Sequence, residues 1–229
     1  PCVPIAVDAA GSAEARIREQ RERDWAGLCR YREANAALAG KPAPRVVFMG
    51  DSITEGWVDG DPQLFADGVV GRGISAQTSP QMLLRFRQDV VALRPRVVHI
   101  MAGTNDMAGN TGPMTTRDFQ NNILAMLDIA RANGIAVVLA GIPPSKNLYW
   151  RDLDPRREIR ALNAWLCDTA AQRGLVFVDY GEVLADADGG LRAELGRDSV
   201  HPNPSGYARM RPLAEAAIAT AERSWRPPE

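Results

Sequence analysis

A chain of 229 residues can bury one full α/β core, and its 45% hydrophobic and 24% charged residues are typical of a folded water-soluble domain, which excludes disorder. Its longest apolar runs, such as Val97-Val98-His99-Ile100-Met101-Ala102, fall far short of the roughly 18 residues a spanning helix needs. With 27 basic and 28 acidic residues the net charge is −1, so no global field draws nucleic acid or an anionic membrane, and the expected partner is a small molecule.

Taken in chain order, residues 1–44 read as an N-terminal segment and helix packing on a domain of residues 45–229. The helix is expected over 13–38, charged and amphipathic, with Ile17, Trp25, Leu28 and Tyr31 as packing residues and Lys41-Pro42-Ala43-Pro44 as its stop. Five strand-length apolar runs follow: Val46-Val47-Phe48-Met49, Gly68-Val69-Val70, Val97 to Met101, Ile135 to Ala140, and Leu175-Val176-Phe177-Val178. The longer ones are apolar throughout, which indicates strands buried on both faces. Between them lie helical stretches over 80–93, over 115–133 stopped by Gly134, and over 154–173 stopped by Gly174, with a last one over 204–223. The third has Asp154 as N-cap and Pro155 at its first position, with Ile159, Leu162, Leu166 and Ala170 on one face. Alternating strands and helices imply right-handed crossovers and a parallel sheet with helices on both faces, whose ligands bind beyond the carboxyl ends of the strands.

Three segments carrying chemistry follow such strands. Gly50-Asp51-Ser52-Ile53-Thr54-Glu55-Gly56 puts a serine at a strand-to-helix turn, where it can act as a nucleophile or simply cap the next helix. It is not the G-x-S-x-G elbow, because position 54 is threonine. Gly103-Thr104-Asn105-Asp106 can aim a side-chain amide at a developing oxyanion, or form a turn. In Asp198-Ser199-Val200-His201-Pro202-Asn203-Pro204 the carboxylate can reach the imidazole Nδ1–H, leaving Nε2 free to take a hydroxyl proton; a lone Asp-x-x-His is weak, and its position in the sheet strengthens it. His99, inside an apolar strand, is expected to be a satisfied core histidine, and Asp106 and Arg72 to order loops. With only two histidines, and Cys2, Cys29 and Cys167 lacking ligand spacing, no metal site is expected; at most one disulfide can form, and free or buried thiols are expected. The chain starts at Pro1, so a removed secretion signal, and a secreted or periplasmic location over a cytoplasmic one, is the expectation; oligomeric state is left open.

The blocks Gly50-Asp51-Ser52-Ile53, Gly73-Ile74-Ser75-Ala76-Gln77-Thr78, Gly103-Thr104-Asn105-Asp106 and Asp198-x-x-His201-Pro202-Asn203, in this order, resemble the GDSL, or SGNH, hydrolase superfamily over 45–219. Asp51-Ser52-Ile53-Thr54 with Arg85-Phe86-Arg87 looks like bacterial relatives of the platelet-activating-factor acetylhydrolase catalytic subunits. The resemblance implies a three-layer α/β/α sandwich with a flavodoxin-like, five-stranded parallel sheet, no cofactor, and ester hydrolysis through an acyl-serine. It implies Ser52 as nucleophile, His201 as base, Asp198 as its orienting partner, and the Ser52 N–H, a second backbone N–H and the Asn105 side chain as oxyanion donors. The chain departs from the family at Ala76, where glycine is usual. An alanine N–H serves if its φ is negative, with the methyl narrowing the pocket, and Gly73 is the second choice of donor. Asp51, Trp57, Pro143, Tyr149 and Trp150 are candidate pocket residues. The expected substrate is a short-acyl ester, such as acetyl on a carbohydrate or small alcohol. Alternatives are lysophospholipase or thioesterase activity on longer acyl chains, or a catalytically silent carbohydrate- or lipid-binding module.

Overall fold

The computed structural model describes residues 22–226. Within them the helix expected over 13–38 is interrupted: Glu22 and Arg23 are helical, the chain then turns, and it is regular again only in α1, Arg32–Ala36; Ile17 lies outside the described residues. Two local features break it. Gly27 sits at φ 69°, and the Asp24 carboxylate takes the N–H groups of Leu28 and Cys29 that helical bonds would otherwise use. Trp25 and Leu28 remain 40% and 38% exposed rather than packed. Cys29 is disulfide-bonded, contrary to the expectation of free thiols, whereas Cys167 is free and exposed.

The sheet is five-stranded and parallel, in the order β2-β1-β3-β4-β5, from β1 (Val46–Gly50), β2 (Val69–Gly73), β3 (Val97–Met101), β4 (Ala136–Ala140) and β5 (Val176–Val178). They start at the apolar runs of the sequence, β2 extending past its run through Gly71-Arg72-Gly73, and their alternate side chains feed two separate cores. Val46, Phe48, Val97, Met101 and Val138 face α2 (Ser52–Gly60), α7 (Gly181–Leu184) and α8 (Pro204–Ser224). Val47, Met49, Val98, Ile100 and Val137 face α3 (Ser79–Asp89), α5 (Thr116–Ala132) and α6 (Arg156–Arg173). The result is the three-layer α/β/α, flavodoxin-like sandwich. Among the described residues no helix is long and apolar enough to cross a membrane.

Helix ends follow their local chemistry. Reciprocal side-chain bonds between Thr78 and Gln81, and between Thr115 and Asp118, start α3 and α5, and Asn203 caps α8 ahead of Pro204. The stretch expected over 80–93 is helical only to Asp89 and then tightens into a 3₁₀ turn, Val91–Leu93. At α6 the boundary shifts by one: Pro155 is the N-cap, although Asp154 still accepts the Arg156 N–H at 3.1 Å.

β1 lies between β2 and β3, and Gly50 is level with both Gly73 and Met101. The three chain segments leaving these strands therefore emerge side by side, where the strand order reverses. Glycines permit the close fit. A Cβ on Gly50 would lie 2.1 Å from the Thr54 hydroxyl, and one on Gly73 would lie 2.2 Å from the Glu55 backbone nitrogen.

Candidate active site

Asp51 follows β1 and caps α2 by accepting the Ile53 N–H at 2.9 Å, so Ser52 occupies the first position of α2, half-buried, and is not itself the cap. At that position its backbone N–H has no partner within the helix. The Ser52 Oγ lies 2.9 Å from His201 Nε2. On the other side of the ring, His201 Nδ1 lies 2.9 Å from Asp198 Oδ2 and 3.1 Å from Oδ1. Asp198 Oδ1 also accepts the backbone N–H groups of Val200 and His201, each at 2.8 Å, so the loop clamps its own carboxylate. Partial burial pushes the Asp198 carboxyl up, but the bonds from the His201 backbone and ring and from Val200 outweigh it and hold the group below its ordinary value. A carboxylate accepting from Nδ1–H leaves Nε2 as the acceptor facing the serine.

Asn105 follows β3 in the short helix α4, Thr104–Met107, and is 4% exposed. Its Nδ2 donates to the Gln77 carbonyl at 3.0 Å and, more weakly, to Asp51 Oδ2 at 3.3 Å, while its Oδ1 accepts from Asn110 Nδ2 at 2.7 Å. The longer contact is the one more readily exchanged for another acceptor. Burial pushes the Asp51 carboxyl up to about 6, although the Ile53 N–H bond and His201 pull it down.

Ala76 stands in the loop after β2 with φ 63°, so the negative φ on which its service as a donor was conditioned is not met, and the residue takes the backbone a glycine would adopt there. This is the left-handed region that glycine adopts freely, and alanine occupies it only under strain. Gly73 is the last residue of β2, where its missing side chain makes room for α2. The loop is held from several directions. The Gly73 carbonyl accepts from the Tyr31 hydroxyl, Glu55 accepts from the Ser75 N–H and hydroxyl, and Gln77 donates to the Ala26 carbonyl at 2.8 Å. Arg85, fully buried, donates to Gln77 Oε1 at 2.6 Å, to the Gly50 carbonyl at 2.9 Å and to Asp89 at 3.2 Å. One guanidinium thus ties the strand end before Ser52 to the loop carrying Ala76.

Trp57, expected to line a pocket, is fully buried; it stacks on Tyr207 at 5.6 Å and meets Tyr180 edge-on, which makes it a core residue. Pro143 is also buried. Tyr149 and Trp150 do reach the surface, 55% exposed and half-buried respectively, with ring centroids 5.0 Å apart and edge-to-face. Their loop touches the histidine loop through the Ser199 hydroxyl, which donates to the Asn147 carbonyl at 2.6 Å. His99 is buried with Nε2 2.9 Å from the Tyr180 hydroxyl, but its Nδ1 finds no partner, so it is only half satisfied. Arg72 and Asp106, expected to order loops, instead join regular elements: Arg72 of β2 donates to Asn35 of α1 at 2.8 Å, and Asp106 of α4 accepts the Ser79 N–H at the start of α3 at 3.0 Å. Asn110 and Gln77, which frame Asn105, carried no individual signal in the sequence, since both are ordinary polar loop residues there.

Esterase TesA of Pseudomonas aeruginosa is 29% identical over 183 residues, covering 73% of this chain and 84% of that protein. The crystal structure of a GDSL-like lipase from Bacteroides thetaiotaomicron superposes with a TM-score of 0.83 at 42% identity, covering 86% of this chain and all of the other. An acetylxylan esterase from Geobacillus stearothermophilus shares the fold, with a TM-score of 0.60 at 21% identity over 76% of this chain and 93% of its own. Residues 48–209 match the GDSL-like lipase/acylhydrolase family, and the chain belongs to it.

Proposed function

We propose that the protein hydrolyses short-acyl carboxylic esters, acetyl groups on a carbohydrate or small alcohol above all, by a Ser52-His201-Asp198 triad. The observation that carries the reading is the unbroken chain of 2.9 Å contacts from Ser52 Oγ through the His201 ring to Asp198, at the carboxyl end of the sheet. In this reading Ser52 Oγ attacks the ester carbonyl as His201 Nε2 takes its proton. The tetrahedral oxyanion accepts hydrogen bonds from the Ser52 N–H, from the Ala76 N–H, which the loop presents at the glycine-like φ of 63° rather than at a negative one, and from Asn105 Nδ2, which exchanges its long contact to Asp51 for the new one. Collapse expels the alcohol, which leaves with the proton from His201. Water, activated by the same imidazole, then cleaves the acyl-serine and returns the enzyme to its starting state.

Two features support a small acyl group on a saccharide. The Ala76 methyl adds bulk at the oxyanion loop, and the Tyr149–Trp150 pair offers aromatic faces, tipped with polar groups, beside the histidine loop. A specific observation favours a second reading, acylhydrolase action on longer chains. A groove of about 460 Å³ runs beside α4, its apolar side formed by Met107, Met114, Phe119 and Leu162 and its polar side by residues that include Arg157 and Glu158. A series of aryl esters from acetate to palmitate, with a panel of acetylated sugars, separates the two. The short-acyl reading expects kcat/KM to fall with chain length and the acetylated sugars to be cleaved. A rise through octanoate would overturn it in favour of the groove. The Cys29 disulfide supports a secreted or periplasmic location.

A further inference from the structure

The polarity of a carboxamide is set by its neighbours, and around Asn105 one neighbour can act only one way. An indole N–H donates and never accepts. Trp150 Nε1 lies 3.0 Å from Asn110, so the atom facing it must be the Asn110 oxygen. The Asn110 Nδ2 is then turned to the opposite side, where it donates to Asn105 Oδ1 at 2.7 Å and lies 3.5 Å from the Ala76 carbonyl. With its oxygen engaged, Asn105 can present only its NH₂ group towards Gln77 and Asp51. The Asn110 backbone is itself pinned, its N–H donating to the Asn105 carbonyl at 3.1 Å.

We propose that Asn110 is a positioning residue that fixes which end of the Asn105 carboxamide faces the oxyanion, and that it takes its own orientation from the Trp150 indole. This rests on the hydrolase reading above and adds to it a link from the aromatic loop beside the histidine to the oxyanion donor. The relay has three consequences. Asn110 never touches substrate. It acts wholly through Asn105. A shift of Trp150 on binding the alcohol part of the substrate is transmitted to the donor that meets the carbonyl. The Gln77 carbonyl favours the same Asn105 orientation, so deleting Asn110 weakens the preference, whereas a carboxylate at that position opposes it by repelling Asn105 Oδ1.

The test is a set of three double-mutant comparisons with p-nitrophenyl acetate as substrate. Asn110→Asp should lower kcat by about 10²-fold, on the scale of losing one oxyanion donor, with KM little changed. Trp150→Phe, which keeps a ring and removes only the N–H donor, should lower kcat by a smaller factor. Asn110→Ala should fall between these two. In an Asn105→Ala background, none of the three changes should lower kcat further. If Asn110→Asp does not fold, Trp150→Phe carries the same comparison. The same fractional loss in both backgrounds would overturn the relay while leaving the hydrolase reading intact. A wild-type protein that neither cleaves the ester nor is labelled at Ser52 by a fluorophosphonate would overturn the hydrolase reading, and the relay with it.

Discussion

Ala76 combines two opposed demands. In the proposed mechanism its N–H meets the oxyanion, yet its φ of 63° suits glycine and strains alanine by about 1 kcal/mol. Ala76→Gly should therefore raise the melting temperature, by about 2–4 °C for about 1 kcal/mol in a domain of this size, with acetate turnover changed only modestly. A melting temperature that falls would mean that the loop gains more from the methyl than it loses in strain. Asp106 gives a pH-dependent counterpart. Burial pushes its carboxyl from 3.8 up to about 6, against the Ser79 hydroxyl and N–H bonds that pull it down. The folded value exceeds the unfolded one, so folding favours the protonated form. The stability this group contributes is full below about pH 4 and is lost as pH rises through about 6. Asp106→Asn mimics the protonated form and should gain on wild type by roughly 1 kcal/mol between about pH 5 and pH 8. Thermal melts at the two pH values check it, and a constant difference would contradict it. None of this was legible in the sequence, because a backbone angle and a burial are products of the finished packing.

Elements fared better than residues wherever the signal was local. Apart from β2, which continues from Val69-Val70 through Gly71-Arg72-Gly73, each strand is an apolar run bounded by turn chemistry whose alternate side chains serve two cores, so the positions of the five strands were legible before any contact was known. Helices with Thr, Asn or Gly at their ends were placed to within a few residues. The N-terminal stretch was misread because its helical periodicity competes with Asp24 and Gly27, and because it serves a different purpose. Residues Trp25 to Asn35 lie across α3 and the Ala76 loop. Trp25, Ala26 and Leu28 accept from Gln81, Gln77 and Gln88 through their carbonyls, and the Tyr31 hydroxyl donates to the Gly73 carbonyl. The Tyr31 ring also lies under the Arg72 guanidinium at 4.8 Å. Tyr31→Phe keeps that stacking and removes one hydrogen bond, a net loss of about 1 kcal/mol. A melting temperature lower by about 2–4 °C, with kcat reduced more than KM is raised, is the expected outcome. Unchanged kcat would show that the stretch braces the fold without bracing the oxyanion loop.

At the scale of the whole molecule, the sheet brings together groups that lie far apart in the chain. Ser52, Ala76 and Asn105 follow three adjacent strands, while Asp198 and His201 reach them from the loop before α8, 149 residues beyond the serine. The order of the motifs made this convergence legible, since parallel crossovers place every strand's carboxyl end on one side. Trp57 was not legible in the same way. Its partner Tyr207 belongs to α8, and the Tyr207 hydroxyl returns to the Ile53 carbonyl at 2.9 Å, a contact that only the closed fold defines. The central claim is that Ser52 is the covalent nucleophile, and fluorophosphonate labelling followed by intact-mass and peptide analysis tests it most directly. Wild type should gain one adduct, mapped to Ser52, and Ser52→Ala should gain none while losing several orders of magnitude in kcat. An adduct on another residue, or labelling that persists in Ser52→Ala, would contradict the account.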